Sequence, residues 1–560
     1  MAAVAIRHFG YARISFGFLA TALLALALAD VRISALDPWA ELLRLLHGLV
    51  QPDLVAVGAR SLANTVAFAI LGVAVGASLG FALALFYARL RAVRVIAAFL
   101  RSIHELFWAL LLMQVFGLSP ATGVLAIAMP YTGIFAKVFS ELFEEADLAA
   151  MRVLPAGTSG ISAFVYARLP ELAGPFGDYT RYRLECGLRS TLVLGFIGLP
   201  TIGFDLESYF RQGDYSQAAA LMFAFYALIG TRRLWARPIT IPFLVACSPF
   251  VLPSGPGGGS WLANLGRFLG HDIVPAPLRD EHLMAEGTWV VLGRWAWNIS
   301  TRQILPGVAQ TLILSQIALV LTAILALALF PLVSRRFAGP VGRPIGRILL
   351  VVVRSTPEYM VAYVLLQTLG ASMLPAILAL AVHNGAVIGY LLGRHADTLD
   401  YRLDAPRGLN LYFYEVVPRL YGQFLAYVLY RWEIILRESA IFGLLGVATL
   451  GYYVDGAMAE LRMDVVLVLI TATALLSMTV DAFSRRLRRM LRIEALPTRL
   501  SMSGTNEAPP LGGATPQASR MANPAARIGA ASPACPLHAD HASPSPHKGA
   551  ERHVFHEDAS

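Results

Sequence analysis

Residues 179–203 read YTRYRLECGLRSTLVLGFIGLPTIG, and residues 427–451 read YVLYRWEIILRESAIFGLLGVATLG. At one constant offset Tyr179 matches Tyr427, Tyr182 matches Tyr430, Arg183 matches Arg431, Glu185 matches Glu433 and Arg189 matches Arg437. Gly195, Gly198 and Gly203 match Gly443, Gly446 and Gly451. Charged residues inside an apolar run are costly, so their recurrence in register is not chance. A repeat shared by the two halves of a membrane chain marks two equivalent modules about a pseudo-axis.

The composition agrees. Of 560 residues, 57% are hydrophobic and 14% charged, with a mean hydropathy of +0.61; soluble domains carry roughly a quarter charged residues. The chain therefore reads as an all-α polytopic membrane protein. Its net charge of +9 is almost all arginine, with Lys137 and Lys548 the only lysines. The arginines sit beside apolar runs rather than in one stripe, which fits the positive-inside bias of membrane loops and not a nucleic-acid surface. Cys186, Cys247 and Cys535 form no CxxC pair, so neither a disulfide framework nor a metal cage is expected.

Counting apolar runs gives about twelve spans: 14–29, 61–86, 99–116, 121–139, 174–199 and 216–230, then 239–252, 304–333, 348–369, 374–392, 421–450 and 465–483. Most approach the ~20 residues that cross a ~30 Å hydrocarbon core, and this count puts the arginine clusters on one side. The run 14–29 reads as an uncleaved first span rather than a signal peptide ending near LALALAD. Segments 30–60 and 253–302 then lie outside. The expected domains are a first module at 1–237, a second at 238–494, and a tail at 495–560. The tail is rich in Ala, Pro, Gly and Ser, too poor in large apolar residues to offset its ordering entropy, and reads as disordered. Its five histidines, His538, His541, His547, His553 and His556, match no metal-binding spacing.

Several chemistries are excluded. No GxxxxGK[ST] loop is present, so the chain places no lysine on a nucleotide phosphate. His104-Glu105 opens like HExxH, but Trp108 stands where the second histidine belongs. The polar residues that remain lie inside apolar runs. Arg101 and Glu105, Arg354 and Glu358, Glu185 and Arg189, and Glu433 and Arg437 are each four apart, a spacing that puts both members on one face of a helix. They read either as ion pairs between packed helices or as the lining of a polar path; with Arg183 and Arg431 added, arginine in excess favours an anionic solute. The glycine triplets read as close helix packing or an outer gate. Two polar stretches, 140–170 and 393–418, occupy matching places on the inner side and end at Pro170 and Pro418.

The run RSIHELFWALL at 101–111 resembles the RSIPELxWALL stretch of phosphonate-type ABC importer permeases. Residues 179–204 resemble the same family's YxxYRxExxxRxSTVLGxxGxxGIGF segment. The region around Glu145, Asp147, Ala149, Ala150, Gly157 and Pro170 resembles the EAA coupling loop of ABC importers, with a degenerate triplet. Asp397, Asp404, Gly408 and Pro418 hold the corresponding stretch of the second half; there Gly408 lies nearer its proline, and Ala405 stands where glycine is expected. The resemblance implies two fused type I importer permease modules, one chain making the whole pore. It implies no cofactor and no catalysis in this chain, ATP being bound by a separate ATPase subunit at the two loops. It further implies a periplasmic solute-binding protein, a place in the bacterial inner membrane, and phosphonate or a related phosphorus oxyanion as cargo.

Overall fold

A computed structural model describes residues 2–146, 154–155, 157–253, 255, 260–279, 287–401 and 404–491, with side chains from residue 10 onward. These belong to a compact unit, Met1–Thr505; a second unit, Asn506–Ser560, and the tail expected to be disordered lie outside the described residues. Among the described residues there are helices and no strand. In chain order they are α1 (Ala2–Leu28), α2 (Pro38–Val50), α3 (Ala59–Tyr87), α4 (Arg91–Ser102), α5 (Glu105–Phe116), α6 (Pro120–Glu145), α7 (Leu169–Leu194), α8 (Ile202–Gln212) and α9 (Tyr215–Gly230). Then follow α10 (Thr240–Val251), α11 (Thr288–Ile299), α12 (Leu305–Leu329), α13 (Arg335–Ser355), α14 (Glu358–Leu369), α15 (Met373–Ala396), α16 (Val417–Glu438), α17 (Leu450–Ala459) and α18 (Met463–Met490). Short helical turns connect several of them.

Two tight helix pairs frame the chain, α3 on α6 and α12 on α15. In the first, Gly72, Gly76 and Gly80 of α3 face Ile127, Tyr131 and Phe135 so closely that a β-carbon would collide. In the second the glycines sit on the other partner: Gly385, Gly389 and Gly393 of α15 face Leu325, Leu329 and Phe330. Small residues every fourth position let two backbones approach where no hydrophobic force separates lipid from protein.

Among the described residues, six helices are long and apolar enough to cross a membrane: Gly10–Leu28, Ala59–Tyr87, Pro120–Glu145, Thr288–Leu332, Met373–Ala396 and Met463–Met490. Three bent pairs raise the number to nine if each is one span, against the roughly twelve spans expected. The expected spans at 99–116 and 348–369 are each broken, by 96° between α4 and α5 and by 89° between α13 and α14. In the second case Pro357 pushes Thr356 out of the helical region. In the first, Ile103 and His104 are extended, and the His104 ring caps α5 by accepting the Leu106 N–H at 3.1 Å. The expected span 421–450 also breaks: α16 ends at Glu438, and α17 restarts at Leu450. Conversely, Thr288–Leu332 is continuous helix, so part of the stretch expected outside extends the span at 304–333. The runs at 216–230 and 239–252 form apolar helices of 16 and 12 residues.

Candidate functional site

The two bends create the site. Each bend ends one helix and starts another, leaving carbonyls at the end of α4 or α13 without intrahelical donors. Arg437 of α16 donates from Nη1 to the carbonyl of Arg101 at 2.7 Å, and Arg189 of α7 donates from Nη1 to the carbonyl of Arg354 at 3.3 Å. Arg189 matches Arg437, and Arg354 holds the place of Arg101. Each half therefore sends an arginine to the bend of the other. The guanidinium suits the negative end of a helix dipole. Both Nε atoms remain buried without a partner.

Further charge gathers around this crossing. Glu105 and Glu358 open α5 and α14, where a carboxylate faces the positive helix end. Glu105 accepts from Ser190 Oγ at 2.8 Å, and His104 Nε2 lies 3.6 Å from its other oxygen. Glu358 has His383 Nε2 at 3.9 Å, while His383 Nδ1 lies 2.8 Å from the Thr356 carbonyl and so carries the proton. Arg431 donates to Asn384 Oδ1 at 3.1 Å, and Asn384 donates to Glu438 at 3.3 Å. Arg183 donates from Nε to Tyr179 OH at 2.8 Å and lies over the rings of Tyr131, Tyr179 and Tyr182. Tyr182 lies in the field of Arg183, Arg189 and Arg431 together; Glu438 lies in that of Arg431, Arg437 and Arg189. Arg189 and Arg437 thus cross between the halves, while Arg183 holds Tyr179 and Arg431 holds Asn384 on either side of them.

None of the four spacings expected to pair does so. Arg101 and Glu105, and Arg354 and Glu358, straddle the bends and share no helix. Glu185 and Arg189 share α7, and Glu433 and Arg437 share α16, but each carboxylate is taken by another element. Glu185 binds Arg232 at 2.8 Å, and Glu433 binds Arg101 at 3.2 Å. Arg101 also holds Asp481 of α18 at 2.6 Å, whereas Arg354 lies over the Tyr390 ring at 4.4 Å. Sequence reading passed over His383, Asn384, Glu438 and Asp481. All four lie in or beside apolar runs, so the rule that polar groups inside a membrane have a purpose would have found them.

The glycine triplets form two copies of one joint. A β-carbon on Gly195 would collide with Gly203, and one on Gly203 with the Leu192 carbonyl; Gly443, Gly451 and the Ala440 carbonyl repeat this. Gly198 and Gly446 make the intervening turns at φ +89° and +86°. The next backbone N–H is bound alike in both copies, Ile202 to Thr65 Oγ1 and Leu450 to Thr311 Oγ1, each at 3.0 Å.

Against known proteins, the phosphate-import permease protein PhnE of Mycolicibacterium smegmatis is 25% identical over 486 residues, 80% of this chain and 88% of that protein. The phosphite transport system permease protein PtxC of Stutzerimonas stutzeri is 30% identical over 179 residues, 30% of this chain and 65% of its own length. The putative cryptic phosphonate transport system permease protein PhnE2 of Escherichia coli K12 is 30% identical over 100 residues, 18% of this chain and 82% of its own length. The chain belongs to the permease family of phosphonate-type ABC importers. No family model and no solved structure matches it.

The polar stretches 140–170 and 393–418 take related forms in the two halves. Asp147, Ala149 and Ala150 lie outside the described residues, and Glu145 closes α6. Gly157 makes a left-handed turn at φ +96°, and a short helix from Gly160 runs through a π turn into α7, with Pro170 in its first turn. In the second loop the left-handed turn is at Gly408, φ +64°, and a helical stretch runs through 411–416 into α16, with Pro418 in its first turn. The turn has moved towards the proline, and Ala405 is not where the chain reverses. Asp397 fastens this loop, accepting from Ser334 Oγ, the Arg335 N–H and Arg343 Nη2; Asp404 sits in the turn that follows. Both short helices expose large apolar residues, Ile161 and Tyr166 in one, Leu409, Phe413 and Tyr414 in the other.

Proposed function

We propose that this permease carries a small phosphorus oxyanion, phosphonate, phosphite or phosphate, through a path between its two halves. The observation that supports it most is the crossing of Arg189 and Arg437 to the opposite bends, with Nε of both buried and unpartnered. Arginine presents planar donors that match phosphoryl oxygens, and a buried donor without a partner is costly until a solute accepts it. The printed names of the relatives point to the same class of solute. In this reading the modules are residues 1–237 and 238–494, the chain breaks no bond, and a separate ATPase subunit supplies the power in the bacterial inner membrane. The exposed Tyr166 and Tyr414 faces are where that subunit docks; apolar patches at matched places on a surface mark an interaction site. A periplasmic binding protein delivers the solute. The reading is tested by purifying the chain with its ATPase and binding protein and following phosphite, methylphosphonate and phosphate into proteoliposomes. Uptake that needs ATP inside, on the loop-bearing face, and the binding protein outside supports it. Uptake by the chain alone, driven by an ion gradient, overturns it.

A further inference from the structure

The helix α1 is not buried by its neighbours. It packs along α12 and touches α16 through Phe18 on Trp432, with ring centroids 5.1 Å apart. Between α1, α12, α16 and α18 it leaves a groove of about 520 Å³, lined among others by Gly17, Phe18, Leu24, Gln316, Trp432 and Phe483. Gln316 Nε2 donates to Thr21 Oγ1 at 2.8 Å and to the Phe18 carbonyl at 3.0 Å, while the Trp432 indole N–H is buried without a partner. The remaining wall is apolar and faces outward, with Leu24, Leu28 and Phe483 exposed.

We infer that this groove holds one acyl chain of an anionic phospholipid. Three observations fix the occupant. The groove follows α1 from Ile14 to Leu28, a rise of about 21 Å at ~1.5 Å per residue, which is the length of an extended chain and not of a globular partner. Its volume is over three times the ~150 Å³ cavity that accommodates benzene, room for a long hydrocarbon chain rather than a small solute. Its inner end is basic. Gly10 of α1 lies against Leu491, which joins the start of α1 to the end of α18. There Arg13 and the exposed Arg486 flank the lining residues Ile14 and Leu487. Basic residues at the cytoplasmic end of a groove between membrane helices recognise an acidic head group. The lipid completes the packing of α1 on the second half, which protein side chains leave unfinished.

Gly17 has open space where a side chain would grow, so Gly17→Phe fills the groove without disturbing the helices around it. The full chain and the variants Gly17→Phe and Arg486→Gln are purified in mild detergent, stripped of loose lipid, and weighed by native mass spectrometry after incubation with phosphatidylglycerol or phosphatidylcholine. The wild type is expected to keep one phosphatidylglycerol per chain and to prefer it at least tenfold over phosphatidylcholine. Gly17→Phe is expected to lose that adduct while remaining folded by circular dichroism. Arg486→Gln is expected to keep an adduct and lose most of the preference. Equal binding by wild type and Gly17→Phe, or a graded series of adducts without head-group preference, means ordinary surrounding lipid and overturns the proposal. A wild-type dimer that Gly17→Phe dissociates assigns the groove to a second copy and also overturns it.

Discussion

The two halves share a frame and differ in chemistry. Backbone features repeat closely: both bends near 90°, both glycine joints, both arginines crossing to the opposite bend. Side-chain partners do not. Arg101 crosses to bind Glu433 and Asp481 of the second half, while its counterpart Arg354 stacks on Tyr390 of its own half. Glu185, which matches Glu433, is held by Arg232 of the first half. Ser190 stands where the second half has Glu438, and the glycines of the tight helix pairs lie on opposite partners. The lesson is that backbone geometry constrains both copies, since the same close glycine contacts and helix breaks must fit in each. Polar contacts are freer to diverge, and here they give one ion-pair latch between the halves instead of two.

Substituting the glycine joints should break the shared frame most severely. Gly203→Val and Gly451→Val force a side chain into a backbone carbonyl, and overpacking of this kind costs ~1–3 kcal/mol or more. Neither variant is expected to yield a monodisperse protein on size exclusion, and recovery of one but not the other would show that the joints are unequal. The latch comes next. Arg101→Ala leaves Glu433 buried without its ion-pair partner, although Asp481 keeps Arg485, an effect of up to about 3–5 kcal/mol. Arg354→Ala loses a ring contact worth ~1 kcal/mol. Thermal melts in detergent should therefore separate the two variants clearly; equal losses would remove the asymmetry. The inner loops carry the smallest expected difference. Tyr166→Ala and Tyr414→Ala should each lower solute-stimulated ATP turnover of the assembled importer severalfold while leaving melting unchanged. The second is expected to be milder, because Tyr412 anchors its loop by stacking on Phe330 at 5.3 Å. An unchanged turnover in both would remove these faces from the docking surface.

Much of this was legible in the sequence. The repeat at 179–203 and 427–451 pointed to two related halves, and two of its arginines, Arg189 and Arg437, each donate to the bend in the other half. The spans built from uninterrupted apolar runs, such as Ala59–Tyr87 and Met463–Met490, fall where hydropathy puts them. The bends were hidden because hydropathy sums composition and ignores direction. Pro357 was a signal for the second bend, but His104 offered none for the first, since a histidine ring acting as a helix cap resembles any other polar residue. Spacing of four misled for the ion pairs for the same reason. It names the nearest partner on a straight helix, and here the helices either end between the two residues or present them to different neighbours.

Equal roles for the two crossing arginines are the most exposed part of this account. Arg189→Ala and Arg437→Ala should be assembled with the ATPase and binding protein, and their ATP-driven uptake of phosphite or methylphosphonate measured in proteoliposomes. The account predicts that both variants assemble and that each loses at least tenfold in uptake, within about a factor of three of the other. Uptake that survives in either variant, or failure of both to assemble, would show that these arginines only pack the halves together and line no route.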